Sequence, residues 1–556
     1  MHEELSRVIT CIEHVVVSLN KINFTRVPEE YLETHDVLNR IKLKLLHIIN
    51  LPNKESLNPV TSQRLSVCLI YHLEKLHKLS EESQVKFGEE QQDKLITYKA
   101  KFDTIAEYVD LAPFLDKEDL FCISRADLRW QRLRQHSQHV ITQRPDLVRK
   151  KYEEFMIRVA AGQVVISLAH AEEHPVKKKV IYGLYTMYYA LFQKHAVRKA
   201  EASYAKPNIE VAQTLWNLVD SWIVKNFMNL MIPNVRLNKV IFLPKTASHV
   251  LDESPKVRSN FSPFSTEGTE NTVKVRVLSS SALPCFNQDL TASKLLTCCL
   301  PGSESDHSIL YETLVIHIHG GGFISMSSAS HQVYTRKWVN ALNLPIISVD
   351  YRLAPEHPFP AALDDVWQVY NWLLVNSKEQ LGIEPSKVIL VGDSAGGNLA
   401  LTLTYKALQA GVKVPDGIVL GYPAVNLSRR NFTDSLLFTL EDLIVPHTFL
   451  KLCLSSYIQD PDLDADSNPY LSPLAIPDED LQRFPSVRML VGSSDPLHDD
   501  CWRFLEKLLN NQVDAYLKVY EGAVHGCLNL CFKGGIKESN QLVDQMGDWI
   551  SELLNK

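Results

Sequence analysis

Between Leu314 and Tyr520, six short apolar runs (LVIHI, PIISV, KVILV, GIVLG, VRMLV and YLKVY) alternate with stretches long enough to form helices. No other feature constrains the fold as strongly. A strand, a crossover helix and a second strand pack as a βαβ unit, and a succession of such units makes a mostly parallel sheet. The runs are continuously apolar, as strands covered by helices on both faces require. Glycine use separates this region from what precedes it: Gly88, Gly162 and Gly183 are the only glycines in the first 250 residues, while the remaining 306 hold eighteen. The early part carries apolar residues at helical spacing, as in Leu38, Ile41, Leu45 and Ile48 or Val211, Leu215, Leu218 and Trp222, and reads as mainly α. At 556 residues the chain exceeds what one hydrophobic core supports. We therefore expect a helical N-terminal domain over 1–255, a junction over 256–304 and an α/β domain over 305–556. The junction is rich in Ser, Pro and Thr, but NTVKVRVLSS, with Val273, Val275 and Val277 alternating, can also be the first strand of the second domain.

Composition narrows the function classes. A net charge of −7 argues against a nucleic-acid binder, which would present a basic face. The N-terminus, MHEELSRVITCIEHVVVSLN, lacks the continuous apolar stretch of a signal peptide, and no run of 18 apolar residues occurs elsewhere. The chain is expected to be soluble and intracellular, meeting any membrane from outside. Among ten cysteines, neither the adjacent Cys298 and Cys299 nor the pair Cys527 and Cys531 has the spacing of a zinc site, and free thiols are expected in a reducing compartment. The acceptor patterns at Asn23, Asn426 and Asn431 are then chance matches. No metal or cofactor motif is present.

The chemistry concentrates in Lys387-Val-Ile-Leu-Val-Gly392-Asp393-Ser394-Ala395-Gly396-Gly397-Asn398, a strand running into G-x-S-x-G and then into the helix-forming LALTLTYKALQA. Glycines around Ser394 permit a tight strand-to-helix turn that leaves the hydroxyl exposed, and the helix N-terminus favours negative charge at the same spot. Upstream, Leu314-Val-Ile-His-Ile ends in His319-Gly320-Gly321-Gly322. Consecutive glycines let backbone N–H groups face a substrate oxygen, and Gly321, Gly322 and Ala395 are the candidate donors to an oxyanion. A phosphate cradle would need a following Lys-Ser/Thr, which is missing here.

A serine hydroxyl needs a base, and the base an orienting carboxylate. Downstream of Ser394 the histidines are His447, His498 and His525. His525, in the loop after YLKVY, is the candidate base. His447 and His498 read as structural. Asp495, the first carboxylate after VRMLV, is the candidate acid, with Asp499 and Asp500 as competitors that read better as the acidic start of the helix CWRFLEKLLNN. His317, His331, Asp350, Arg352 and Glu356 read as structural, and Asp393 has no required role.

Together these residues resemble the hormone-sensitive lipase family of serine esterases, marked by H-G-G-G, D-Y-x-L-A-P-E and G-D-S-A-G-G. His319 to Gly322, Asp350 to Glu356 and Gly392 to Gly397 match all three. The resemblance covers about 305–556. It implies an α/β-hydrolase fold with a mostly parallel central sheet, behind a large helical domain that sets this chain apart from the short bacterial members. It also implies hydrolysis of acylglycerols and of cholesteryl and retinyl esters at cytosolic lipid droplets, with Ser394, Asp495 and His525 in the triad positions and His319, Gly320, Gly392, Asp393 and Gly396 supporting the motifs. Lipid ester substrates, a second copy of the chain and droplet-coat proteins are the partners it allows. Mammalian members carry a long phosphorylated insert before the segment corresponding to Ser472-Pro473-Leu474; here only QDPDLDADSNPYL fills that space, so control through such an insert is not expected. A general carboxylesterase is the alternative. A ligand receptor on a triad-less hydrolase scaffold is disfavoured by the presence of His525.

Overall fold

The structure, a computed structural model, describes residues 311–428, 430, 433–440, 442 and 445–556. Before these it describes 2–22, 29–50, 59–85, 88–111, 119–121, 126–140, 145–170, 177, 184–185, 187–189, 191–204, 207–216, 230–246, 251, 263–283 and 285–286. The segments 256–262 and 287–304 of the expected junction, with Cys298 and Cys299, lie outside the described residues, as do the side chains of the stripe Val211, Leu215, Leu218 and Trp222.

The chain divides into two compact units. The first comprises Met1–Arg132, Lys150–Leu215 and Arg429–Leu452. Its framework is four helices: α1 (His2–Leu19), α2 (Glu29–Asn50), α3 (Pro59–Val85) and α4 (Glu89–Leu111). The stripe Leu38, Ile41, Leu45 and Ile48 is buried in the same core as Leu5 and Val8 of α1 and Leu69 and Leu73 of α3. Helical spacing forms a face, and burying that face against its neighbours is what stabilises the helix. Leu440, from far along the sequence, also belongs to this core, with Leu436 and Leu437 packed against it. Tyr108 Oη donates to the carbonyl of Leu436 at 3.2 Å, and Arg64 pairs with Asp434. The division expected at 255/256 is therefore redrawn, since residues 429–452 leave the α/β sequence to complete a helical core. Which core an apolar run such as SLLFTL joins is a tertiary property that its own pattern does not carry.

The second unit comprises Leu133–Arg149, Trp216–Ser428 and Cys453–Lys556. Its nine-stranded sheet has the order β1-β9-β8-β7-β6-β4-β5-β3-β2. The strands are β1 (Ser137–Val140), β2 (Leu237–Pro244), β3 (Thr272–Ser279), β4 (Tyr311–Ile318), β5 (Ile346–Asp350), β6 (Ile383–Asp393), β7 (Gly417–Gly421), β8 (Ser486–Gly492) and β9 (Ala515–Tyr520). The pairings β2/β3 and β3/β5 are antiparallel and all others parallel. The six apolar runs are β4 to β9. NTVKVRVLSS is a strand, β3. It is not the first of the sheet, because β1 and β2 come from the region expected to be helical. LNKVIFLP in β2 is a short apolar run, which periodicity alone does not assign. SQHV in β1 is too short and polar to signal a strand, and it forms through backbone pairing with β9.

Helices α5 (Leu128–Gln135), α6 (Pro145–His170), α7 (Gln193–Tyr204) and α8 (Ile209–Trp216) precede β2. The sheet's crossover helices are α9 (Gln332–Leu342), α10 (Ala361–Leu381) and α11 (Ala395–Ala410). They are followed by α12 (His447–Tyr457), α13 (His498–Asn510) and α14 (Lys537–Leu554). α9 and α14 are joined where Trp338 Nε1 donates to the carbonyl of Val543 at 2.7 Å. The parallel strands β4 to β9 end on one side of the sheet, and the loops leaving them carry the candidate residues.

Candidate active site

Ser394 lies between β6 and α11 with φ 51° and ψ −119°, a left-handed φ that a side chain tolerates only when its surroundings enforce it. Its amide N–H donates to the carbonyl of Gly421 at the end of β7, at 2.9 Å. The turn closes because Gly396 has no side chain: a Cβ there would stand 2.1 Å from the carbonyl oxygen of Ile318 and 2.6 Å from that of His319. The first turn of α11 thus rests directly on the end of β4.

His525, in the loop after β9, faces Ser394, with Nε2 3.0 Å from Oγ. Its Nδ1 is 3.0 Å from each oxygen of Asp495. With the proton assigned to Nδ1, the ring donates to the carboxylate and leaves Nε2 to accept from the hydroxyl. Asp495 is fully buried and also accepts from the amide of Leu497 at 2.8 Å. Tyr422 covers the imidazole from the side, ring centroids 4.7 Å apart. The competing acids are occupied elsewhere: Asp499 lies 2.8 Å from His498 Nδ1, and Asp500 lies 3.0 Å from Arg503. Burial, the largest influence on Asp500, raises its pKa. His447, in the first unit, sits between Tyr108 at 3.0 Å and Glu107 at 3.0 Å.

The glycine loop after β4 turns sharply, with φ 112° at Gly321 and 59° at Gly322. A side chain at Gly321 would meet the carbonyl of Ser325 at 2.3 Å. Among the described residues, no acceptor takes the N–H of Gly321, Gly322 or Ala395. These are the groups expected to receive an oxyanion. The loop is braced by Phe323, whose ring stacks on Tyr457 with centroids 3.9 Å apart, and by Tyr351, which stacks on His319 at 4.2 Å.

Asp393 does more than the sequence reading allowed. Its Oδ1 accepts from the amide of Gly320 at 3.0 Å and from the hydroxyl of Tyr334 at 2.8 Å, with His331 Nε2 at 3.5 Å. The residue before the serine therefore ties the glycine loop to the turn that holds Ser394. Behind it, His317 links the Tyr334 hydroxyl at 2.9 Å to Ser348 Oγ at 3.1 Å. Burial alone would raise the Asp393 carboxyl, but His331, His317 and the Tyr334 hydroxyl hold it at about 2. Burial, aided by His331, lowers His319 to about 4. Tyr334, Tyr422 and Tyr457 were not singled out from the sequence. Aromatic residues in helices and loops read as core, and nothing local marks which of them adjoin the site. Asp350 accepts from Ser328 N–H at 2.6 Å and from its hydroxyl at 2.8 Å, while Arg352 pairs with Asp365 at 2.9 Å. Among the described residues no cluster could hold a metal ion.

A hydroxyl, an imidazole and a carboxylate in line, beside unoccupied backbone donors, can perform acyl transfer. Comparison with known proteins points the same way. Residues 315–529 match the family described as alpha/beta hydrolase fold. The chain is 34% identical over 272 residues to hormone-sensitive lipase of Bos taurus, covering 47% of this chain and 35% of that protein. It is 36% identical over 210 residues to an esterase of Acinetobacter venetianus, covering 38% of this chain and 65% of that one. A carboxylesterase of Mycobacterium tuberculosis matches at 33% identity over 219 residues, 39% of this chain and 66% of its own. The matched stretch thus spans about a third of the mammalian relative's length and just under two thirds of the bacterial ones'.

Proposed function

We propose that the protein is a serine ester hydrolase of the hormone-sensitive lipase family acting on lipid esters, its residues 315–529 matching the family described as alpha/beta hydrolase fold. The observation that carries this reading is the line Asp495–His525–Ser394, closed by contacts of 3.0 Å on both sides of the imidazole.

In this reading His525 Nε2 takes the proton of Ser394 as Oγ attacks the ester carbonyl, and Asp495 stabilises the imidazolium that forms. The carbonyl electrons move onto oxygen, where the amides of Gly321, Gly322 and Ala395 receive them; losing one such donor costs on the order of 3 kcal/mol of transition-state binding. Collapse breaks the ester C–O bond, and His525 gives its proton to the departing alcohol. Water, deprotonated by the same histidine, then releases the acid and restores Ser394. No metal or redox group is needed in this cycle.

Diacylglycerol, triacylglycerol, monoacylglycerol, cholesteryl esters and retinyl esters are the substrates of this reading, met at the surface of a lipid droplet or membrane. Droplet-coat proteins and a second copy of the chain are its partners. Among the described residues no helix is long and apolar enough to cross a membrane. A second reading, a general carboxylesterase for small esters, is favoured by the bacterial relatives named esterase and carboxylesterase, which match over a larger share of their own length than the mammalian lipase does.

The chemistry is tested by comparing the wild type with Ser394→Ala on a chromogenic short-chain ester, alongside labelling by a serine-directed fluorophosphonate. Ser394→Ala is expected to lose turnover and labelling; retained wild-type turnover would overturn the assignment. Rates on emulsified diacylglycerol, triacylglycerol and cholesteryl ester against the short-chain ester then separate lipase from carboxylesterase.

A further inference from the structure

β1 lies at the edge of the sheet beyond β9, and the ester-hydrolase reading assigns it no task. Packing does not account for it, because its four residues are half-buried or exposed. Its contacts nevertheless converge on the two loops that carry Asp495 and His525. The parallel pairing runs from Ser137 opposite Leu517 to Val140 opposite Tyr520. At its far end the amide of Glu521 donates to the carbonyl of Val140 at 3.3 Å. Glu521 is the first residue after β9 and opens the loop that leads to His525. Its carboxylate lies 3.3 Å from His139 Nδ1.

The same side chain also reaches toward the acid. The His139 ring stacks on Trp502 of α13, centroids 5.7 Å apart and planes 26° from parallel. Trp502 Nε1 donates to His498 Nε2 at 3.1 Å, and the amide of His498 donates to the carbonyl of Asp495 at 3.0 Å. One side chain therefore touches two chains of contact, one through Glu521 into the His525 loop and one through Trp502 and His498 into the Asp495 turn.

We propose that β1 is a clamp on the triad loops and that His139 is a positioning residue, holding the separation of Asp495 and His525 at which Nε2 meets the Ser394 hydroxyl. The inference rests on the ester-hydrolase reading of those three residues. Its physical basis is the steep cost of misplacing catalytic groups, about 100-fold in rate for a shift near 1 Å. The two loops are tied to each other at the strand ends, where Ser493 N–H donates to the carbonyl of Tyr520 at 3.0 Å, Ser494 N–H to the carbonyl of Ala523 at 3.1 Å and Gly522 N–H to the Ser493 hydroxyl at 2.9 Å, and an edge strand that contacts both can brace that pairing from the side. A strand supplied from residues 137–140 does so with backbone bonds on one edge and one imidazole bridging both loops.

The test compares the wild type, His139→Ala, His139→Phe and Glu521→Gln in the full chain, measuring kcat and KM on a short-chain ester, the rate of fluorophosphonate labelling and the thermal midpoint. His139→Ala is expected to lower kcat about tenfold, part of the ~100-fold available to misalignment, with KM unchanged and labelling slowed in parallel. His139→Phe keeps the ring on Trp502 and is expected to recover part of the loss, while Glu521→Gln, which weakens one arm of the bridge, falls between. Wild-type kcat in His139→Ala overturns the clamp. So does a loss that appears equally in KM, or one that follows the thermal midpoint without recovery in His139→Phe, since those outcomes describe a merely structural residue. A wild type that neither hydrolyses the ester nor takes the label overturns the hydrolase reading and the clamp with it; an active wild type with an unaffected His139→Ala overturns the clamp alone.

Discussion

Asp495 shows what a single residue's surroundings decide. Three carboxylates, Asp495, Asp499 and Asp500, follow β8 within six residues of one another, and chain position ranks them only by closeness to the strand end. The folded chain separates them by partner, with His525 on Asp495, His498 on Asp499 and Arg503 on Asp500. Asp495→Asn is therefore expected to lower kcat by about 10⁴, because an amide in that place favours the wrong imidazole tautomer. Asp499→Asn should stay within an order of magnitude of wild type. Steady-state rates on a short-chain ester check both, and a large loss in Asp499→Asn with little in Asp495→Asn would exchange their roles. Asp393 makes the opposite point about legibility. The motif placed it beside Ser394, and its side chain reaches back to Gly320 and Tyr334. Sequence names such a residue but not its direction, because the acceptor's partners come from a different strand and helix.

At the scale of elements, the turn from β6 into α11 was readable because its demands are local: a strand, glycines where backbone must approach backbone, and a helix. Gly396→Ala tests that demand. The added carbon would stand 2.1 Å from the carbonyl of Ile318, a backbone atom with no rotamer to yield. The helix would have to retreat from β4, carrying the Ala395 amide with it, and activity is expected to fall at least 100-fold on the scale of a 1 Å displacement. Wild-type activity in this variant would show that the turn has slack. The end of α12 carries a prediction of the opposite sign. The hydroxyl of Tyr457 is buried and has no hydrogen-bond partner among the described residues, and burial raises its pKa. Leaving a buried polar group unpaired costs about 1–3 kcal/mol. Tyr457→Phe keeps the ring on Phe323 and is expected to raise stability by about 1 kcal/mol, read as a higher denaturation midpoint; a lower midpoint would reveal a partner for the hydroxyl. The elements that sequence reading missed, β1 and β2, are those whose identity rests on pairing. Neither has a periodic face long enough to declare itself, and each is a strand only because β9 or β3 lies alongside.

For the whole molecule, the membership of the two compact units is decided by packing across long sequence separations. Leu440 joins a core built by residues before 110, and His139 joins a sheet built mainly after 310. The same long-range packing buries His317 and His319 beneath the glycine loop, and this sets how stability depends on pH. Burial lowers His319 from 6.5 to about 4 and lowers His317 as well. An unfolded chain takes up protons on both rings as pH falls through 6.5, while the folded chain refuses the His319 proton until about 4 and resists protonation of His317 as well. Folding stability must therefore decline across that window, for His319 by an amount on the order of 3 kcal/mol. Asp393 acts in the same direction lower down. Its carboxyl is held at about 2 against an ordinary 3.8, so the stability it contributes is present above 3.8 and lost as pH falls toward 2. The denaturation midpoint of the wild type should accordingly drop steadily from pH 7 to pH 4 with no recovery on further acidification. His319→Asn removes one titrating ring while retaining a side chain able to donate to the Gly320 carbonyl that His319 Nδ1 now meets at 2.7 Å. Its midpoint should fall less steeply over the same range, and a slope equal to that of the wild type would move the source of the acid sensitivity away from His319.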